Sequence, residues 1–157
     1  MLTKLTNFIF GVPWTIKSLR KKEPNSKIIA SGATKGRILK NESNVQYGFG
    51  WIISRRSALI LTEEKLLCGN WVIPLSDIQK ASMLKFRSTF SKGLVLKIST
   101  KNNKHYQFGL TYDPIWENQK ILQFEIDTQK IKYSWLSIIV RIIVIIWLIS
   151  LIIKWIT

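Results

Sequence analysis

At 157 residues the chain is long enough for one compact domain with a short appendage, and too short for two full domains. Its formal charge is +15, from 24 lysines and arginines against 9 acidic residues, a surplus attracted to anionic lipid headgroups or to nucleic acid. A single cysteine, Cys68, excludes an internal disulfide and suits a reducing, cytoplasmic setting.

Residues 1–20 lack the continuous apolar core and the cleavage site of a secretory signal, so none is expected. Leu2, Leu5, Ile9, Val12, Ile16 and Leu19 recur at helical spacing, with Phe8, Phe10 and Trp14 beside them. Gly11 and Pro13 interrupt the pattern, and Lys17, Arg20, Lys21 and Lys22 close it. Residues 1–22 therefore read as an amphipathic segment with two outcomes. It is either an interfacial helix that dips Trp14 and its aromatic neighbours into lipid, or a helix or hairpin packed on the domain or on the anchor described below.

Glu23-Pro24-Asn25-Ser26 is a linker. Short β-like runs follow: Lys27–Ser31, Gly36–Lys40, Tyr47–Ser54, Ala58–Thr62, Lys65–Cys68, Trp71–Pro74, Ala81–Phe86, Leu94–Thr100 and His105–Leu110. Turn signals separate them at Ser31-Gly32, Asn41–Asn44, Arg55-Arg56-Ser57, Gly69-Asn70, Ser91-Lys92-Gly93 and Lys101–Asn103. This spacing predicts a meander of antiparallel strands, closing as a curved sheet or small barrel. Alternation is clearest at Leu94, Leu96 and Ile98, with Lys97 and Ser99 facing out. Asp113-Pro114 is an N-cap followed by proline at the first helical position, so a helix is expected from Pro114 to Leu122. Residues 123–134 form a connector. Leu122, Phe124 and Ile126 alternate like a strand, while Ile121, Phe124, Thr128 and Ile131 also fit a helix.

From Trp135 to Thr157 there are 23 residues, 18 of them apolar. As a helix this segment is about 34 Å long, enough for a hydrocarbon core of about 30 Å. Arg141 and Lys154 lie toward its two ends and can snorkel to the interfaces. Eighteen apolar residues at roughly −0.3 to −0.6 kcal/mol each outweigh two off-centre charges at about +3 each. Residues 135–157 are therefore expected to be a transmembrane tail anchor, with Lys132, Trp135, Arg141, Lys154 and Trp155 at the membrane interface. Lys120, Lys130, Lys132 and Arg141 precede the span and only Lys154 lies at its far end, which places the N-terminal domain in the cytoplasm. Setting Arg141 and Lys154 aside leaves 22 basic against 9 acidic residues, or +13, before the span.

Catalytic groups are few. His105 sits in a strand-like run, Cys68 has no partner cysteine, and metal-ligand spacing, a nucleophile elbow, a phosphate loop and a dinucleotide fingerprint are all missing. No enzyme activity, metal or cofactor is expected. What remains is basic residues assigned to turns and sheet ends: Lys35, Arg37, Arg55, Arg56, Lys85, Arg87 and Lys92. They are candidate ligands for lipid phosphates, or else a solvated rim.

Two consecutive stretches carry a family likeness. Leu59–Gly69 runs apolar residues, threonine, two acids, lysine and a second apolar run, and Trp71–Ile78 leads an aromatic strand into Ile-Pro-Leu-Ser-Asp-Ile. Together they resemble the GRAM and bacterial pleckstrin-homology-like domains, over roughly residues 27–122. The resemblance implies a seven-stranded, strongly bent sheet closed by a C-terminal helix, and binding to membranes or proteins without catalysis. A clean lysine-x-arginine pair across the first two strands is missing, and Lys35 and Arg37 come nearest. The expected fold is thus mainly β with a capping helix, plus one transmembrane helix. The expected partners are anionic headgroups or an acidic partner at the cytoplasmic membrane surface first, and a membrane protein second, in a scaffold role. Nucleic acid comes last, because the aromatic residues read as inward or interfacial.

If the apolar run anchors the chain, the protein stays in the membrane pellet through carbonate and high-salt washes, and truncation after Ser134 releases it. Full extraction of the intact chain by salt alone would sink the anchor.

Overall fold

The computed structural model describes residues 2–40, 54–87, 92–130, 146, 147 and 150. Two helices open the chain, α1 (Leu2–Ile9) and α2 (Val12–Lys22). Gly11 joins them in the left-handed region, φ 74°, where a side chain would be strained. Pro13 lies in the first turn of α2, and Arg20, Lys21 and Lys22 lie in its last turn, where their charge complements the helix dipole.

Eight strands follow: β1 (Ile28–Leu39), β2 (Arg55–Thr62), β3 (Lys65–Cys68), β4 (Trp71–Pro74), β5 (Ile78–Arg87), β6 (Lys92–Thr100), β7 (His105–Thr111) and β8 (Glu125–Lys130). They form one sheet in the order β4-β3-β2-β1-β7-β6-β5-β8. Every pairing is antiparallel except β5 with β8. The sheet curls into a half-barrel, and with the short helix α3 (Pro114–Asn118) it is compatible with a pleckstrin-homology-like bent sheet.

The sheet is held from both faces. On the concave side Leu59, Leu61, Leu66, Ile73, Met83, Leu94, Leu96, Ile98 and Phe108 form the main core with Trp116 of α3. On the convex side Val12 and Leu19 of α2 pack on Ala33, Ala58 and Ile60, with Phe10, Ile16 and Leu67 at the margin. The N-terminal segment is thus a helical hairpin packed on the domain. Asn7 pins it further, its Oδ1 accepting a hydrogen bond from the Ala33 N–H at 2.8 Å.

Several expectations need correction. Lys27–Ser31 and Gly36–Lys40 are not separate runs, because β1 passes unbroken through Ser31-Gly32. Its glycines serve close packing in place of turning. A Cβ on Gly32 would lie 3.2 Å from the Trp116 indole nitrogen, and one on Gly36 only 2.9 Å from the Trp71 ring and 3.1 Å from Phe108. Gly36 therefore serves the concave core. Arg55-Arg56-Ser57 is no turn either, since these residues begin β2 opposite Gly36, Lys35 and Thr34. Lys92 and Gly93, likewise assigned to a turn, belong to β6.

The closing helix is shorter than expected and ends at Asn118. Asp113 caps it, its side chain accepting from Ile115 N at 3.1 Å. Gln119 then ends it by taking the amides of Ile121 and Leu122 at 2.9 and 2.8 Å, a local side-chain bond that competes with helix continuation. Residues from Glu125 resolve as a strand, parallel to β5, so the sheet is not a pure antiparallel meander, and the described residues alone supply eight strands where the resemblance implies seven. The expected strand Tyr47–Ser54 lies outside the described residues apart from Ser54, which is a buried bend. Among the described residues no helix is long and apolar enough to cross a membrane. The expected span at 135–157 lies outside them except for Ile146, Trp147 and Ser150, which are helical.

Gly36→Val should cost about 1–3 kcal/mol by overpacking the concave core, measured as a lower midpoint in chemical denaturation. An unchanged midpoint would mean that β1 does not turn Gly36 toward Trp71 and Phe108.

Candidate functional site

The β1–β2 register decides where the charges go. Directly opposed residues in an antiparallel pair project from the same face. Ala33 opposes Ala58 under the helical hairpin, so the row two residues further along, Lys35 opposite Arg56, lies on the same convex face beside it. Two cations facing each other across a strand pair repel. Among the described residues neither has an ion-pair partner. The next row on this face runs Arg37–Gln107–Lys97 across β1, β7 and β6. Arg37 donates from Nη2 to Gln107 Oε1 at 3.3 Å. Gln107 is fully buried, and its Nε2 has no hydrogen-bond partner among the described residues.

Lys35, Arg37 and Arg56 therefore come together, but on strands and not on loops. Arg55 separates from them. It opposes Gly36 on the concave side, stacks its guanidinium 5.9 Å from the Trp71 ring, hydrogen-bonds Asn70 and covers Gly69, whose φ of 59° makes the β3–β4 turn. Lys85 is also engaged, bound to Glu117 of α3 at 2.6 Å, where it fastens the closing helix to β5. Lys92 is exposed with its ammonium 5.8 Å from the Tyr112 ring. Arg87 pairs with Lys92 through the backbone at the end of β5, and its side chain lies outside the described residues. Of the interfacial candidates, Trp14 is exposed on α2, while Lys132, Trp135, Arg141, Lys154 and Trp155 lie outside the described residues. The sequence places Lys97 on the solvent face but does not link it to the cluster. Its alternation with Leu96 and Ile98 is legible, whereas its place in Arg37's row depends on two long-range registers.

The remaining polar groups act structurally. Cys68 is 1% exposed, and burial pushes its thiol up to about 11, against the opposing pulls of a Ser57 hydrogen bond and the Arg55 charge. It is a protonated, inert thiol at neutral pH. His105 Nδ1 shares a 2.9 Å hydrogen bond with Ser99. Thr62 Oγ1 accepts from the amides of Glu64 and Lys65 and donates to the Lys65 carbonyl, closing the β2–β3 turn. A surface cavity of about 340 Å³ lies between the linker and that turn. Its charges are largely spent on each other through Lys27–Glu63 at 3.1 Å and Lys65–Glu23 at 2.7 Å. Among the described residues no group of three histidines, cysteines or acids could hold a metal.

The chain matches no known family model and no curated protein.

Proposed function

We propose that this chain is a non-catalytic, membrane-anchored module of the GRAM or pleckstrin-homology-like type, which holds anionic headgroups at the cytoplasmic membrane surface. The observation that carries the reading is Lys35 set opposite Arg56 with no ion-pair partner for either among the described residues. Such a pair is a standing cost in the free protein, and an anion seated between the two would relieve it. Arg37, held at a fixed height by Gln107, extends the positive strip along the same face. A phosphate-bearing bilayer supplies anions that suit this strip, and the apolar run at 135–157 would keep it within reach. Basic residues near an anionic surface contribute on the order of 1 kcal/mol each, within a screening length of about 8–10 Å.

Nucleic acid is a weaker reading. Single-strand binders interleave exposed aromatics with basic residues, but Trp71, Tyr106 and Phe108 contact one another on the concave side. A scaffold role draws on one observation, that β4 ends the sheet among the described residues with Val72 58% exposed, an edge a partner strand could extend.

The chain truncated after Ser134, once shown to melt cooperatively, should bind vesicles containing phosphatidylglycerol and ignore neutral phosphatidylcholine. Binding should weaken steeply with salt. Lys35→Glu with Arg56→Glu should lower affinity about 30-fold, matching the loss of roughly 2 kcal/mol. The charge-matched pair Lys101→Glu with Lys104→Glu, at the exposed β6–β7 turn, should cost far less. Equal losses would mean diffuse attraction and no site. Indifference to anionic vesicles at low salt would favour the scaffold.

A further inference from the structure

The helical hairpin has two apolar faces, and the sheet uses only one. Val12, Ile16 and Leu19 pack inward. Leu5, Phe8, Ile9 and Trp14 stay 61, 58, 68 and 55% exposed. Three of them recur at i, i+3 and i+4 and so share one side of α1. Trp14 joins them across the Gly11 turn, its ring centroid 4.8 Å from that of Phe8. Four large apolar side chains thus form one raised ridge on a mount fixed by Asn7 and by the convex core. A ridge of this kind on a soluble surface asks for an occupant.

We infer that this ridge inserts into the headgroup–acyl boundary of an anionic bilayer, wedging the domain into the membrane hairpin-first. Charge selects that occupant. Residues 1–22 carry five lysines and arginines and no acidic residue, and all five are exposed. A second copy of the chain would bring two such cationic segments together, whereas an anionic lipid surface neutralises them. Apolar side chains backed by a cationic flank are what an in-plane interfacial helix requires, with burial of about 5–10 Å. Lys35 and Arg56 lie two residues beyond Ala33 and Ala58, which seat the inward face of the hairpin, about 7 Å along the strands, so the cationic row borders the hairpin's seat. The inference rests on the membrane reading for its setting, but insertion of the ridge does not depend on the sheet face binding a headgroup.

The test uses the full chain with Ile9→Cys carrying an environment-sensitive NBD fluorophore. Cys68 is 1% exposed and should stay unlabelled, which the parent chain checks. In vesicles of phosphatidylglycerol and phosphatidylcholine, the emission should shift to the blue. A nitroxide-bearing lipid should quench it, and aqueous iodide should not. Quenching by iodide would place the ridge in water and overturn the proposal. Shielding from both quenchers would place it in a protein contact, such as a second copy, and overturn it equally. Repeating the measurement with Lys35→Glu and Arg56→Glu separates the two readings. Lipid quenching retained there supports the wedge even where headgroup affinity fails. Its loss in that variant would show that the ridge has no insertion of its own, and overturns the inference.

Discussion

The whole arrangement depends on β1 belonging to both halves of the curled sheet. Its twelve residues pair with β2 over Ile28–Gly36 and with β7 over Thr34–Leu39, so it is the strand around which the half-barrel bends. That bend needs room on the concave side. Gly32 and Gly36 supply it by letting Trp116, Trp71 and Phe108 come against the backbone. Side chains at these positions would push the aromatics away and open the curl. The same strand turns Ala33 outward for the hairpin and then Lys35 and Arg37 for whatever approaches that face. Core, hairpin seat and cationic row are consequences of one register.

The sequence misleads where glycine and arginine are locally ambiguous. Ser31-Gly32 reads as a turn by composition, because nothing nearby in the chain announces that Trp116, more than eighty residues later, will need that space. Arg55-Arg56 reads as a loop, because two arginines open no typical strand. Their alternate roles, one under Trp71 and one facing Lys35, exist only once β1 has paired. By contrast Lys65–Cys68 and Trp71–Pro74 are found at their expected bounds. There the apolar run, the Thr62 turn and Gly69 with positive φ are all local signals. The early stop of α3 at Asn118 has a local cause too, the Gln119 side chain, but one that composition does not distinguish from a helical glutamine.

The basic residues illustrate why a charge count describes a surface poorly. The candidates whose side chains are described take on different duties. Lys85 holds the closing helix through Glu117, Arg55 braces a turn through Trp71 and Asn70, and Lys92 lies by Tyr112. Lys35 and Arg56 face one another with no ion-pair partner among the described residues. Functional interest attaches to that remainder, since a cation already satisfied within the fold has little left to offer a ligand.

The central claim is that Lys35 and Arg56 repel each other in the free protein. A double-mutant cycle in detergent at low salt measures this directly. Lys35→Gln and Arg56→Gln should each raise the unfolding free energy. Together they should fall short of additivity by about 0.2–1 kcal/mol, the size of a cross-strand interaction, and the coupling should fade as salt screens it. Destabilisation by either substitution, or strict additivity at low salt, would contradict the account.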